Sequence, residues 1–341
     1  MTGAALSFFL LYLVVVSAFH PRRIANRRTT MMMTGSKEIE GGLPKIPLTD
    51  QNRAERALLG VSRVASASLF GGMASGALLP QRASAEGAGS RGPVVVLGSN
   101  GQTGKLIVNL LSKAEIAVQP TFARTPPADA PKGSTILEAK VADVTNPESL
   151  SEAVKGASAV IFASSASKKG GNAEKVDYLG VKNTADACLK EKVPQLVVIS
   201  SGAVTRPKSL GFKITNLFGG IMGFKLQGED ELRSLYASSD LSYAIIRPGG
   251  LLGGPASGAS KMELNQADTI SGEINRADVA EVAVAAATSK VLKGKKVTFE
   301  IYEGGKSGPL EDSLPKTSGY EQRGDSYDAM FANLKEGIDR I

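Results

Sequence analysis

The sequence predicts an α/β protein in which helices cover both faces of a mostly parallel sheet. A continuous apolar run at 94–97 is typical of a strand buried on both faces. This run leads directly into Gly98-x-x-Gly101-x-x-Gly104, and a helical pattern follows at once. Beyond residue 93, strand and helix signals alternate along the chain. Right-handed crossovers would make this a Rossmann-type, doubly wound parallel sheet in a single folded domain.

The alternation defines the elements that we expect. Strands are expected at 93–97, 117–123, 135–140, 158–163, 195–200, 241–246 and 296–302. Helices are expected at 102–113, 147–155, 172–192, 225–237, 277–288 and 326–336. The single cysteine, Cys188, falls in an apolar helical stretch, so we expect it to be a packed core residue.

The first 91 residues lack the pattern of a folded domain. Positions 1–18 contain an uncharged apolar run that ends in small residues, which is typical of a signal peptide. Positions 19–56 begin with an arginine- and threonine-containing stretch typical of a transit peptide. Positions 57–91 are rich in Ala, Ser and Gly and predict either a linker or a thylakoid-transfer segment. A single folded domain is expected at 92–341.

The order of these segments resembles the bipartite presequence of algae with complex plastids. In that pattern a phenylalanine stands just after the cleavage point of the signal peptide, and Phe19 fits it. The resemblance implies import into a complex plastid. Both the stroma and the thylakoid stay open as the final location.

Most of the net charge of +7 belongs to this leading region. The first 92 residues hold 11 of the 40 Lys and Arg but only 5 of the 33 Asp and Glu. The remainder is therefore close to neutral, and the high pI is no indication of a nucleic-acid partner. With one cysteine and one histidine, Cys188 and His20, the chain cannot form an internal disulfide, a His/Cys metal site or a histidine-based triad. No metal is expected.

The glycine-rich loop predicts a bound dinucleotide. Glycines permit a tight turn and let a pyrophosphate approach the backbone, and the N-terminus of the following helix favours its charge. The phosphate-loop motif of nucleotide hydrolases does not fit, because five residues separate Gly98 from Gly104 and Leu106 follows Lys105. The alternative is a glycine turn without a ligand.

The ends of the second and third expected strands indicate the type of cofactor. NAD sites usually place an acid after the second strand to bind the ribose 2′-hydroxyl, but here Arg124 stands there and no acid occurs before Asp129. A guanidinium suits a 2′-phosphate, so NADP (NADPH) is favoured over NAD. An exposed arginine at a strand end is the alternative. Asp143 could accept from the adenine amino group or cap the helix that begins near Pro147.

A set of short motifs occurs in a fixed order between residues 93 and 302. They are GSNGQTG at 98–104, ARTP at 123–126, DV at 143–144, VIFASS at 160–165, VDYLGVKN at 176–183, VVISSG at 197–202, KLQGE at 225–229, YAIIRPGG at 243–250 and NRADVA at 275–280. In this order and spacing they resemble the atypical short-chain dehydrogenase/reductases of the NmrA-like, NAD(P)H-binding type.

The resemblance implies two groups of cofactor-binding residues. The adenosine and pyrophosphate half would be bound by Gly98, Gly101, Gln102, Thr103, Gly104, Arg124, Asp143, Ala163 and Ser164. In this group Arg124 would bind the 2′-phosphate and Asp143 the adenine. The nicotinamide half would be flanked by Ser200, Ser201, Lys225, Pro248 and Gly249.

One residue of the related pattern is missing. Typical short-chain enzymes protonate the substrate carbonyl with a tyrosine four residues before the lysine, on the same helical face. Counting back from Lys225 gives Ile221. Two other Tyr-x-x-x-Lys matches, at 178–182 and 302–306, fall in the wrong helix and in a turn. We interpret both as coincidences.

Two functions from different classes are consistent with these residues. The first is an NADPH-dependent reductase of a small, fairly apolar plastid metabolite, in which Ser201, Lys225 or water supplies the proton. The second is an NADPH-binding protein without turnover, either a redox sensor or a photosynthetic assembly factor with a thylakoid-associated protein partner. The retained Lys225 and Ser200-Ser201 pair favour the first, and Ile221 favours the second. The sequence identifies neither the substrate nor the oligomeric state.

Overall fold

The computed structural model describes residues 92–166, 171–217 and 219–340. The segments expected as signal peptide, transit-like segment and linker (1–18, 19–56 and 57–91) lie outside the described residues. In the part of the chain that is described, no helix combines the length and the apolarity needed to cross a membrane.

Twelve strands occur in the described ranges. They are β1 (Val94–Leu97), β2 (Val118–Phe122), β3 (Lys140–Val141), β4 (Ala159–Phe162), β5 (Gln195–Ile199), β6 (Ser242–Pro248), β7 (Gly250–Leu252), β8 (Met262–Asn265), β9 (Ile270–Ser271), β10 (Glu273–Asn275), β11 (Lys296–Glu303) and β12 (Gly308–Pro309). Eight of them form one sheet in the order β3-β2-β1-β4-β5-β6-β11-β8. All neighbours in this sheet are parallel except β11 and β8. The remaining four form two short pairs, β7 with β10 and β9 with β12.

Helices connect the parallel strands. They are α1 (Gln102–Lys113), α2 (Pro147–Val154), α3 (Gly180–Lys190), α4 (Leu210–Asn216), α5 (Ile221–Tyr236), α6 (Arg276–Thr288) and α7 (Tyr327–Phe331). A π-helical turn, Glu174–Leu179, leads into α3, and a 3-10 turn, Ala259–Lys261, precedes β8.

The two faces of the sheet bury two separate apolar clusters. Alternate residues of β1 point to opposite faces, as the period of a strand requires. Val94 and Val96 pack in the cluster that includes α1 and α6, whereas Val95 and Leu97 pack in the cluster that includes α2, α3 and α5. Helices therefore cover both faces. The architecture is the Rossmann-type, doubly wound α/β fold that the sequence predicts.

Several boundaries differ from the expectation. The strand expected at 135–140 is wrong, because only Lys140–Val141 pairs along β2 and Ile136 makes an isolated bridge to Val118. The last helix ends at Phe331 instead of 336. The strand β8 was not expected, since Glu263 and Asn265 replace the apolar signal of a buried strand. Cys188 is buried, as expected, and its burial raises the pKa of the thiol.

Candidate functional site

The residues predicted for the site gather at one edge of the sheet. Loops follow the carboxyl ends of the parallel strands β1 to β6, and the strand order reverses between β1 and β4. In open α/β sheets ligands bind at such a switch point, outside the carboxyl ends of the strands. The predicted residues on these loops or strand ends are Gly98, Gly101, Arg124, Asp143, Ala163, Ser164, Ser200, Ser201, Pro248 and Gly249. Those at the beginning of helices are Gln102, Thr103, Gly104 and Lys225.

The turn after β1 needs its glycines for steric reasons. Gly98 has φ of +91°, a region that is unfavourable for residues with a Cβ atom. A Cβ atom on Gly104 would lie 2.2 Å from the carbonyl oxygen of Gly98, which is closer than any packed contact. The buried Ser99 fixes the turn, because its hydroxyl donates to Val96 O at 2.9 Å and accepts from Thr121 N at 3.1 Å. The turn is therefore tight and anchored to β1 and β2.

The first turn of α1 leaves three backbone donors without a protein partner. Gly101 precedes the helix in an extended conformation and supplies no side-chain cap, and its own N–H donates to Gly98 O at 2.9 Å. Among the described residues, no acceptor bonds the N–H groups of Gln102, Thr103 and Gly104. Free N–H groups and the helix dipole together favour a phosphate at this position.

Arg124 and Asp143 stand beyond the adjacent strand ends. The Arg124 side chain is exposed, and within the described ranges it makes neither an ion pair nor a hydrogen bond. Asp143 is half-buried and its Oδ1 accepts from both the N–H and the hydroxyl of Thr145, each at 2.9 Å. The cap of α2 is Asn146, which accepts from Glu148 N at 3.2 Å. The alternative role of Asp143 as a helix cap is therefore wrong.

The loop after β4 contacts the glycine turn. Ala163 N donates to Leu97 O at 2.9 Å, which extends the pairing of β4 with β1. A Cβ atom on Gly98 would lie 2.7 Å from the hydroxyl oxygen of Ser164, so the two loops touch. Ala163 and Ser164 are both half-buried beside the turn.

Lys225 does not present a free ammonium group. Its Nζ lies 2.8 Å from Oδ1 of Asp177, and the side chains of the two residues are 11% and 0% exposed. The same carboxylate accepts from the Ser165 hydroxyl at 2.7 Å and from Ala166 N at 2.9 Å. The lysine of the family pattern is thus held by a buried acid.

The two serines after β5 differ in what their hydroxyls do. Ser200 donates to Oε1 of Glu229 at 2.5 Å. Burial opposes the charge of this carboxylate, but Arg247, Arg233 and the Ser200 hydrogen bond together outweigh burial and lower the pKa of Glu229 to about 2, so Glu229 can only accept. The Ser200 proton is therefore used within the protein. Among the described residues, Ser201 makes only a long bond of 3.2 Å to Gly202 O, and O–H···O bonds are usually near 2.7–2.8 Å.

A network of buried charges lies behind Ser200. Arg247 is fully buried in β6 and bonds Glu229 at 2.6 Å, Glu300 at 3.1 Å and the backbone oxygen of Asp339 at 2.7 Å. Arg233 also bonds Glu229, at 2.8 Å. Burial, together with the nearby Asp268, raises the pKa of Glu300 to about 8 in spite of Arg247. This network holds Ser200 in place from inside the fold.

One small cavity separates the lysine pair from this network. It is bordered by Asp177, Lys225, Ser200 and Glu229, and its volume is about 10 Å³. A water molecule needs about 10–15 Å³, so the cavity is far too small for a substrate. It belongs to the packing beneath the site.

The loops after β5 and β6 are joined by backbone bonds. Pro248 O accepts from Gly202 N at 2.8 Å, and Gly249 N donates to Ile301 O at 3.0 Å. The position after β6 is therefore fixed relative to both neighbouring strands. Pro248 and Gly249 are brought to the same edge as Ser200 and Ser201.

The two tyrosines that are followed by a lysine four residues later lie in environments unlike that of a proton donor at the site. Tyr302 is fully buried and its hydroxyl donates to Glu263 at 2.8 Å. Tyr178 lies in the π-helical turn, and Lys182 pairs with Asp186 at 2.7 Å. The position four residues before Lys225 is Ile221, the first residue of α5.

Sequence reasoning missed the acids that hold the site together. Asp177 and Glu229 lie inside quoted motifs, yet nothing local indicates that they bind Lys225 and Arg247. A usable signal did exist: Arg247 directly follows two isoleucines in β6, and Glu300 stands between Phe299 and Ile301 in β11. Such residues are almost never fully buried unless they are paired.

Comparison with known proteins identifies the family. The family described as NAD(P)H-binding matches residues 98–290. The chain belongs to the NAD(P)H-binding family. An uncharacterized chloroplastic protein of Arabidopsis thaliana is 34% identical over 237 residues, covering 65% of this chain and 80% of that protein. Its coverage shows that the likeness extends over most of the relative.

Two further relatives share only part of their length with this chain. Protein TIC 62, chloroplastic, of Arabidopsis thaliana is 29% identical over 201 residues, which cover 56% of this chain but 29% of that protein. Sanguinarine reductase of Eschscholzia californica is 33% identical over 126 residues, covering 36% of this chain and 44% of the reductase.

Solved structures support the same fold. The oxidoreductase ylbE of Lactococcus lactis has a TM-score of 0.52 at 22% identity, covering 62% of this chain and 91% of that one. ChuY, an anaerobillin reductase of Escherichia coli O157:H7, has a TM-score of 0.50 at 23% identity, covering 62% and 98%. At these identities the likeness concerns the fold of the NAD(P)H-binding family and nothing finer.

Proposed function

We propose that this protein binds NADPH at the carboxyl edge of its sheet and reduces a small, fairly apolar metabolite in the plastid. The observation that carries the proposal is the turn of Gly98 and Gly104 followed by three N–H groups without protein acceptors. The negatively charged oxygens of a pyrophosphate would accept hydrogen bonds from these three N–H groups. Membership of the NAD(P)H-binding family supports a nucleotide at this place.

Arg124 is the reason to prefer NADPH over NADH. Its guanidinium follows β2, is exposed, and within the described part of the chain has no acid as a partner. A guanidinium offers several donors and a permanent charge to a 2′-phosphate. Asp143 keeps Oδ2 without a donor among the described residues, so it retains an acceptor for the adenine amino group.

A reductase needs a hydride donor and a source of a proton. Bound NADPH would supply the hydride. Ser201 is the better candidate to donate a proton or a hydrogen bond to the substrate, because within the described part of the chain its hydroxyl makes only the 3.2 Å bond to Gly202. Ser200 can act only as an acceptor, since its proton is bonded to Glu229. Lys225 would orient the nicotinamide ribose.

The alternative function, an NADPH-binding redox sensor or photosynthetic assembly factor without turnover, also has structural support. Ile221 occupies the position, four residues before Lys225, at which typical short-chain enzymes have the proton-donating tyrosine. Lys225 is paired with Asp177, and Ser200 is committed to Glu229. In this alternative a thylakoid-associated protein would be the partner that responds to the bound nucleotide.

The plastid location rests on the leading region of the sequence and on relatives. The segments 1–18 and 19–56 resemble the presequence of a complex plastid. Three relatives from Arabidopsis thaliana are named chloroplastic. The folded domain at 92–341 would be the part that functions after import, in the stroma or at the thylakoid.

The cofactor assignment is tested by the affinities of NADPH and NADH for the wild type and Arg124→Ala. We expect the substitution to weaken NADPH binding by about 10- to 100-fold, because hydrogen bonds to a charged group are lost. NADH lacks the 2′-phosphate, so its affinity should stay the same. Lys293→Ala removes an exposed charge before β11, at the opposite edge, and serves as the matched control. Equal losses for NADPH and NADH would contradict the preference.

Turnover is tested separately with NADPH deuterated at both C4 positions and a panel of apolar ketones, whose carbonyl carbon retains a transferred deuteride. Deuterium in the product supports the reductase. Tight NADPH binding without transfer to any acceptor would favour the sensor or assembly factor.

A further inference from the structure

We infer that Asp177 is a positioning residue that couples the dinucleotide-binding loops to Lys225 and so fixes its ammonium group at the nicotinamide end of the site. The inference deepens the proposed function and rests on it. In this inference one buried carboxylate holds the Lys225 ammonium group in position, which the flexible lysine side chain does not do by itself.

The carboxylate of Asp177 is fully buried and fully used. Oδ1 accepts from the Ser165 hydroxyl at 2.7 Å and lies 2.8 Å from Lys225 Nζ, while Oδ2 accepts from Ala166 N at 2.9 Å. A buried carboxylate without a counter-charge is strongly unfavourable. In the described ranges Lys225 is its only ion-pair partner. Removal of Lys225 would therefore leave the Asp177 carboxylate buried without a counter-charge among the described residues.

Asp177 joins three segments that are distant in sequence. It lies in the π-helical turn Glu174–Leu179, bonds the loop after β4 through Ser165 and Ala166, and bonds α5 through Lys225. Single π-helical turns are often found at functional sites. The carboxylate is the point where the loop, the turn and the helix meet.

The loop after β4 continues to the glycine turn. Ser164 lies against Gly98, whose carbonyl oxygen lies against Gly104. The contacts thus run without a gap from the first turn of α1 to Ser164 and through the adjacent Ser165 to Asp177. A pyrophosphate bound at the first turn of α1 would order the glycine turn, which is the end of these contacts farther from Lys225.

Lys225 keeps donors for a ligand while its position is fixed. An ammonium group has three N–H donors. Among described residues Asp177 is the only acceptor within ion-pair distance, and the lysine side chain is 11% exposed. Two donors remain for the hydroxyls of the nicotinamide ribose, which is the half of the cofactor that lies beyond the pyrophosphate.

The test is a double-mutant cycle on the full chain, with NADPH and adenosine 2′,5′-bisphosphate as ligands. The second ligand occupies only the adenosine half. We expect Asp177→Asn to weaken NADPH binding about tenfold and to leave the bisphosphate unchanged, since one charge-assisted contact is lost. In the Lys225→Met background the same substitution should add less than about twofold. Asp177→Glu should restore part of the NADPH affinity.

The matched control is Asp186→Asn, which removes an acid from the half-buried pair with Lys182, away from the site, and should change neither affinity. If Asp177→Asn does not fold, Ser165→Ala takes its place in the cycle, because Ser165 is exposed and its loss leaves the ion pair intact. It should weaken NADPH by about two- to threefold in the wild type and not in Lys225→Met.

The outcomes separate this inference from the proposed function. Equal losses in both backgrounds, or an equal loss for the bisphosphate, would show that Asp177 only supports the loop after β4 and would overturn the inference alone. A wild-type chain that binds neither ligand would contradict the proposed function and the inference together.

Discussion

Polar groups are treated in opposite ways at two places on the same sheet. At the end of β1, the first N–H groups of α1 and the Arg124 guanidinium have no partner among the described residues. Beneath β5, β6 and β11, Arg247 is matched by Glu229 and Glu300 and by a backbone oxygen. Unpaired donors are inexpensive at an edge that water reaches, and they can be reserved for a ligand. Buried charges have no such freedom, so they stabilise the fold only as a complete set.

The largest expected effect is on the buried side of this comparison. Arg247→Ala removes a counter-charge of the buried, ionised Glu229 and a hydrogen-bond donor to Glu300, so we expect a loss of about 3–5 kcal/mol in the free energy of unfolding. Urea denaturation measures it. The control is Arg340→Ala, which removes half of an exposed pair with Asp230 and should cost less than about 1 kcal/mol. A loss as small as that of the control would contradict the claim that the buried charges stabilise the fold as a complete set.

The next effect is the pH dependence of the same network. Because the pKa of Glu300 is raised to about 8, the folded state binds this proton more tightly than the unfolded state does. Its contribution is fully present below the ordinary pKa of a glutamate and is lost as the pH rises toward 8. Between pH 6 and 8 we expect the free energy of unfolding to fall by about 2 kcal/mol.

Urea denaturation at several pH values follows this decrease. Glu300→Gln should start from a lower stability but show a flatter profile, because the titrating group is gone. The same slope in the variant would assign the pH dependence to another group.

The last expected effect concerns the ligand edge, where binding is affected more than stability. Gly104→Ala forces a Cβ atom toward the carbonyl oxygen of Gly98, so the turn must shift, at a cost of about 1–3 kcal/mol in the free energy of unfolding. The NADPH affinity should fall at least tenfold, since the shifted turn faces the pyrophosphate. Gly211→Ala is the control, because a Cβ atom there meets nothing within 4 Å. Unchanged NADPH affinity would contradict the assignment of this turn to the cofactor.

The two regions also differ in how far the sequence predicts them. The apolar run of β1, the spacing of Gly98 and Gly104, and Arg124 at a strand end are local signals. The topology of a parallel sheet then brings the loops to one edge. For this reason the glycine turn and the sheet edge that the surrounding residues share were predictable, whereas the choice between the two roles of Asp143 needed the structure, which places Asn146 as the helix cap.

The buried network has no comparable local signal. Arg247 bonds Glu229 from 18 positions away, Glu300 from 53 and Asp339 from 92. A charged residue in an apolar strand indicates that a partner exists, but sequence spacing does not say which one. Asp177 was inconspicuous for the same reason, since its partner Lys225 lies on a different helix.

The bond from Arg247 to the backbone of Asp339 also concerns the time at which the chain is made. Synthesis proceeds at about 5–20 residues per second, so roughly 5–20 s pass between the addition of the arginine and the addition of its acceptor 92 residues later. During that interval Arg247 in β6 lacks the backbone oxygen of Asp339 as a hydrogen-bond acceptor. Final closure of the interior must therefore wait for nearly the last residues, while the glycine turn has all of its contacts much earlier.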